Sequence, residues 1–121
     1  VYRAIGQPQE ALTYYQQALT ISREVRDRRG EAATLNNIGG VYGAIGEPQE
    51  ALTYYQQALT IRREVADRTG EATTLNSIGL VYSAIGKPQE ALTYYQQALP
   101  IRQEVADRTG EATTLNSIGL V

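Results

Sequence analysis

The chain repeats itself every 40 residues. Glu31, Glu71 and Glu111 open successive copies (71 − 31 and 111 − 71), and the stretch Glu71 to Gly110 reads EATTLNSIGLVYSAIGKPQEALTYYQQALPIRQEVADRTG. The copy from Glu31 to Gly70 differs from it only at Ala33/Thr73, Asn37/Ser77, Gly40/Leu80, Gly43/Ser83, Glu47/Lys87, Thr60/Pro100 and Arg63/Gln103. A fixed period of this length specifies one small unit stacked on its own copies, because a single unit cannot bury its apolar face alone. The expected division is a single array over 1–121: a partial unit over 1–30, full units over 31–70 and 71–110, and a partial unit over 111–121.

Within one unit, Ala72, Leu75, Ile78, Gly79, Tyr82 and Ile85 recur at helical spacing and define a buried face from Glu71 to Ile85. Gly86 suits a left-handed helix end, and Pro88 suits the first turn of a second helix. That second helix is expected from about Pro88 to Arg108, closed by Gly110. It carries Ala91, Tyr95, Ala98, Arg102 and Val105 on one face and Leu92, Leu99 and Ala106 on another, so it packs against both its own partner and the next unit. Gly79, Ala91 and Ala98 let helix axes approach closely, and Tyr82 and Tyr95 are the large pieces expected to fill the space between. A buried tyrosine hydroxyl needs a partner, so at least one of the two is expected to reach a backbone carbonyl or the solvent edge.

Taken in order, Val1 to Ile5 reads as the end of a first helix, and Gln7 to Arg29 as a second helix closed by Gly30. The basic run Arg23 to Arg29 is interrupted by Glu24 and Asp27 and reads as a solvated helix end. Gly39, Gly40 and Gly43 make Glu31–Ile45 the softest helix expected, since each mid-helix glycine costs about 1 kcal/mol relative to alanine. Pro100 removes the bond to the Gln96 carbonyl and is expected to bend or break its helix.

Catalysis is not expected. The chain has no His and no Cys, which removes the commonest general base, thiolate nucleophiles and the usual zinc ligands. Lys87 is the only lysine, and no Gly-rich phosphate loop surrounds it. Glu104 and Asp107 read as partners of Arg108 or Arg102, not as a tuned acid–base pair. No cofactor or metal is implied. The net charge of −2 gives no bulk electrostatic case for nucleic acid or an anionic membrane, and no apolar run approaches the roughly 20 residues that span a bilayer. No signal segment is visible, and the expected location is cytoplasmic. The chain opens on Val1 and lacks Met, so it is expected to be a fragment of a longer one.

Leu75, Ile78-Gly79, Tyr82, Gly86, Ala91, Tyr95 and Ala98 together resemble the signature of the tetratricopeptide repeat. The pattern returns at Leu35, Ile38-Gly39, Tyr42, Gly46, Ala51, Tyr55 and Ala58. It returns in part at Tyr2, Gly6, Ala11, Tyr15 and Ala18, and at Leu115 and Ile118-Gly119. The commoner form of that family has a shorter unit with a proline closing the second helix, where Arg63 and Gln103 stand here. The longer unit, with its T-L-N-[NS]-I-G opening, resembles the kinesin-light-chain-like branch. The resemblance implies an all-α, right-handed superhelical solenoid of antiparallel helix hairpins that serves protein interaction.

The copies differ along the first helix at 33/73, 37/77, 40/80 and 43/83, which is one stripe of that helix. Asn36, Asn76 and Asn116 fall in the same sector. In proteins this chain resembles, that stripe lines a concave groove and holds an extended or helical peptide. The residues expected to line it are Asn36, Asn37, Gly40, Thr73, Asn76, Ser77, Leu80, Ser83, Thr113, Asn116, Ser117 and Leu120. An Asn amide offers donors and an acceptor that match a peptide backbone. The leading expectation is therefore a scaffold for a protein or peptide ligand. The alternative is a structural spacer or a self-assembling array, favoured by the near-identity of the units, since specific recognition usually needs distinct residues at each step. Val1 is in phase with Val41, Val81 and Val121, so head-to-tail self-association is the form that array would take.

Overall fold

A three-residue turn separates each helix from the next. In the computed structural model, which describes residues 7–121, the helices are α1 (Pro8–Glu24), α2 (Arg28–Ala44), α3 (Pro48–Glu64), α4 (Arg68–Ala84), α5 (Pro88–Glu104) and α6 (Arg108–Leu120). No strand occurs among the described residues, and α1 to α5 each have 17 residues. Two such helices and their two turns complete the 40-residue period. The helix end expected over Val1 to Ile5 lies outside the described residues.

Both kinds of turn close in the same way. After α4, Gly86 takes φ +78° while Lys87 N–H donates to the Tyr82 carbonyl at 2.9 Å and Gly86 N–H to that of Ser83 at 3.1 Å. These paired bonds satisfy the last carbonyls of a helix that ends in a left-handed residue. After α5 the left-handed residue is Ala106, at φ +58°, with Asp107 N–H on the Arg102 carbonyl at 2.9 Å and Ala106 N–H on that of Gln103 at 3.1 Å.

The expected second helix is therefore corrected: α5 ends at Glu104, short of Arg108, and Gly110 lies inside the first turn of α6. Asp107 decides the outcome. Its own N–H closes α5, and its side chain accepts from Gly110 N–H at 2.8 Å to cap α6. Asp27 and Asp67 cap α2 and α4 likewise through Gly30 and Gly70, at 2.9 and 3.0 Å. A left-handed alanine costs about 1–2 kcal/mol, which the two satisfied helix ends offset.

The chain divides into two compact units, Val1–Ile61 and Arg62–Val121. In the first, α1 packs on α2, with Leu12, Leu19, Leu35 and Ile38 buried. A Cβ on Gly39 would meet the Tyr55 ring at 2.8 Å, so that glycine is a seat for the ring. In the second unit α5 packs on both α4 and α6. Tyr95 is 1 % exposed and lies on Gly79, where a Cβ would come within 2.5 Å of the ring. Tyr95 thus fills the helix crossing as its spacing predicts. Tyr82 does not: it is half-buried and stacks on Tyr94, ring centroids 5.6 Å apart. Tyr42 and Tyr54 stack in the same way at 5.5 Å in the first unit. The Tyr95 hydroxyl finds a partner in the Ser117 side chain, and burial raises its pKa.

Two further expectations meet the structure differently. Pro100 lies inside α5 without breaking it, because Tyr95, Ala98, Ile101 and Arg102 are buried to either side and hold the helix in place. In α2, Gly39 is seated against Tyr55, whereas Gly43 meets only the Ala51 Cβ, at 4.0 Å. Amide hydrogen exchange in α2 is accordingly expected to be faster than in α4. Equal protection of the two helices would refute the assignment of α2 as the softer.

The basic run near α1 is more than a solvated end. Arg23 Nε and Arg28 Nη1 grip the buried Glu31 carboxylate at 3.1 and 2.8 Å. Arg63 and Arg68 hold Glu71 in the same way at 3.0 and 2.8 Å. Glu111 receives Arg108 at 2.6 Å and Gln103 Nε2 at 3.1 Å, the glutamine replacing one arginine of the clamp. Each clamp ties the end of one helix to the start of the next.

Asp107 pairs with Arg102 at 3.4 Å, one of its two expected partners, but Glu104 pairs with Arg68 at 2.9 Å. The Arg68 hydrogen bond, and then its charge, hold the Glu104 carboxyl below its ordinary value of 4.5. A lowered carboxyl contributes stability above the unfolded pKa and loses it as pH falls through the folded one. Glu104→Gln is therefore expected to flatten the loss of stability below about pH 4.5, as read by denaturant titrations across the acid range. Identical acid profiles for the two proteins would sink this.

Candidate functional site

Helices α4 and α6 are joined by a buried bond in which Thr114 Oγ1 donates to Asn76 Oδ1 at 3.2 Å. The stripe on which the copies differ lies beside this seam. On α4, Thr73 and Ser83 are exposed, Ser77 is half-buried and Leu80 is 51 % exposed. On α6, Thr113, Asn116 and Leu120 are exposed. Asn76 and Ser117 instead face inward, Asn76 at 6 % exposure and Ser117 bonded to Tyr95. In the first unit, α2 presents Asn37 in the open and keeps Asn36 and Gly40 half-buried.

The three repeated asparagines therefore occupy unlike settings. Asn76 Oδ1 is taken up by Thr114, whereas Asn116 stands exposed on α6. Residues 73, 77 and 80 mark the middle of the stripe, and residue 76 lies a little to one side, where the neighbouring helix covers it.

The hydroxyls of the stripe are turned onto their own helices. Thr73 Oγ1 donates to the Thr69 carbonyl, Ser77 Oγ to that of Thr73 and Thr113 Oγ1 to that of Thr109, each at 3.1 Å. Ser117 Oγ donates to the Thr113 carbonyl at 3.1 Å. What these side chains leave outward is methyl surface and oxygen lone pairs. From Ala72 to Gly86 and from Ala112 to Val121 there is no Asp, Glu, Lys or Arg. Charge is concentrated instead at the turns and on the second helices.

Thr74 and Arg62 escaped the sequence reading. Thr74 is fully buried and accepts from Arg62 Nη1 at 2.9 Å, and the same nitrogen reaches the Gly70 carbonyl at 3.1 Å. Burial lowers the Arg62 pKa, and the nearby Asp67 opposes that shift. The recurrence of Thr at 34, 74 and 114, beside the buried Leu at 35 and 75, was the available signal. No cluster of three or more His, Cys, Asp or Glu that could hold a metal occurs among the described residues. No helix among them is long and apolar enough to cross a membrane.

A family profile described as tetratricopeptide repeat matches residues 1–64, 32–104 and 70–121. No curated protein matches the chain. Among solved structures it is similar to BtubC (BKLC) from P. vanneervenii, with TM-score 0.87 and 23 % identity over 98 % of this chain and 50 % of that one. It is also similar to the nearly identical TPR-like repeats of a putative kinesin light chain from Podosopora anserina, with TM-score 0.80 and 21 % identity over 97 % of this chain and 58 % of that one. The chain thus spans 50 % and 58 % of the lengths of these two structures. At such identities the likeness concerns the fold, an all-α repeat solenoid.

Proposed function

This chain belongs to the tetratricopeptide repeat family, and we propose that it is a scaffold whose first helices α4 and α6 receive a segment of a partner protein. Repeats of this family are generally protein–protein interaction modules, and the family is generally non-enzymatic. The observation that carries the proposal is Leu80, 51 % exposed in the middle of a helix whose Leu75 and Ile78 are completely buried. A large apolar side chain held open beside Thr73 and Ser77 gains from being covered. Asn116, an exposed amide on α6, adds hydrogen-bonding capacity to the face. The proposal assigns no nucleic-acid partner, given the net charge of −2, and sets the chain in the cytoplasm.

The test is a random peptide library panned on this chain and on Leu80→Glu/Leu120→Glu. Selected peptides are expected to lose at least about tenfold in affinity on the variant, about 1.4 kcal/mol. Full affinity on a variant with unchanged helical circular dichroism would refute the face as the binding site.

The near-identity of the units favours self-association as a second reading, since specific recognition usually needs distinct residues at each step. Copies stacked head to tail would show a mass in light scattering that rises with concentration. A constant monomer mass would remove this reading for the free chain.

A further inference from the structure

We propose that the segment received by the α4–α6 face is an uncharged peptide rich in leucine-like side chains. This rests on the reading of that face as the partner site and names the chemistry of the occupant. The face offers Thr73, Leu80, Ser83, Thr113, Asn116 and Leu120, none of them ionised. The hydroxyl protons of Thr73 and Thr113 are already donated to carbonyls of their own helices. The charges nearest the start of the stripe are matched within the fold: Glu71 by Arg63 and Arg68, Glu111 by Arg108, and Arg68 also by Glu104. Lys87 lies in the turn that closes α4, and Glu90 in the first turn of α5.

A carboxylate or ammonium laid on this face gives up water and meets no opposite charge, which is unfavourable. A leucine laid against Leu80 or Leu120 gives up only unfavourable hydration. Backbone N–H groups of the peptide find acceptors in the threonine and serine lone pairs. The preference for a neutral segment follows from what the face lacks as much as from what it carries.

Three synthetic peptide libraries of equal length test this, their variable positions drawn from neutral, acid-enriched or base-enriched residues. Each is panned on this chain, with Leu80→Asn/Leu120→Asn as counter-screen. Binders lost in the counter-screen are expected from the neutral library, and their affinity is expected to change less than about twofold between low and high salt. If such binders come instead from an acidic or basic library and weaken with salt, the neutral occupant is wrong while the face stands. If no library yields binders sensitive to the counter-screen, the face itself is wrong and this inference falls with it.

Discussion

Tyr95→Ala is expected to lower the unfolding free energy by about 3–5 kcal/mol, the usual cost of removing a large aromatic ring from a core. Tyr95 is among the largest fully buried side chains and fills the gap left where α5 crosses Gly79. The surroundings cannot collapse into the vacancy easily. Ala91 and Ala98 on the same helix are already fully buried, and Leu75 and Ile78 are packed on the facing one. Tyr95→Phe separates ring from hydroxyl: it deletes only the bond to Ser117 and is expected to cost about 1 kcal/mol. Gly79→Ala attacks the same contact from the other side. Its Cβ would lie 2.5 Å from the ring, and overpacking of this kind costs about 1–3 kcal/mol, against a gain of about 1 kcal/mol in helix propensity. Urea titrations read by circular dichroism measure all three. A loss below about 1 kcal/mol for Tyr95→Ala would show that the ring does not fill the crossing.

Pro100→Thr is expected to raise stability by about 1–3 kcal/mol, a discounted share of the cost of about 3 kcal/mol for a proline in a helix interior. The parallel positions show what the substitution restores. Thr20 and Thr60 each send Oγ1 to the carbonyl four residues earlier, at Gln16 and Gln56, both at 3.0 Å. Threonine at 100 supplies the backbone N–H as well. The gain is discounted because Pro100 and Gln96 are exposed, so water reaches the carbonyl the proline leaves unpaired. Proline also restricts the unfolded chain, which offsets a further part. Slower hydrogen exchange over Gln96–Glu104 should accompany the gain. Unchanged or lower stability would mean that this part of α5 carries no strain from the proline.

Much of the fold was legible from repetition. Leu35, Ile38, Leu75 and Ile78 recur at the helical period and are all buried. Gly46 and Gly86 take positive φ at the turns before Pro48 and Pro88, where glycine and proline together punctuate the chain. The other turn was misread because Gly70 and Gly110 resemble helix stops. The competing signal was Asp67 and Asp107, each three residues before a glycine, and a capping side chain outweighs a glycine that stays helical. Leu80 and Ser83 were legible as surface because they vary between copies at positions one stripe apart.

By itself, then, the sequence determined the 40-residue period, the helical hairpin, the small residues at the helix crossing and the absence of charge in the first helices beyond their first turn, because each is written in spacing and residue type. Tertiary structure alone decided that Asn76 turns inward to Thr114 while Ser77 stays near the surface, and that Tyr95 enters the core while Tyr82 stacks outside it. Neighbouring residues on a helix point about 100° apart, so periodicity narrows a side chain to a sector. Which edge of that sector is covered depends on how closely the next helix approaches, and that distance is set by the side chains of both.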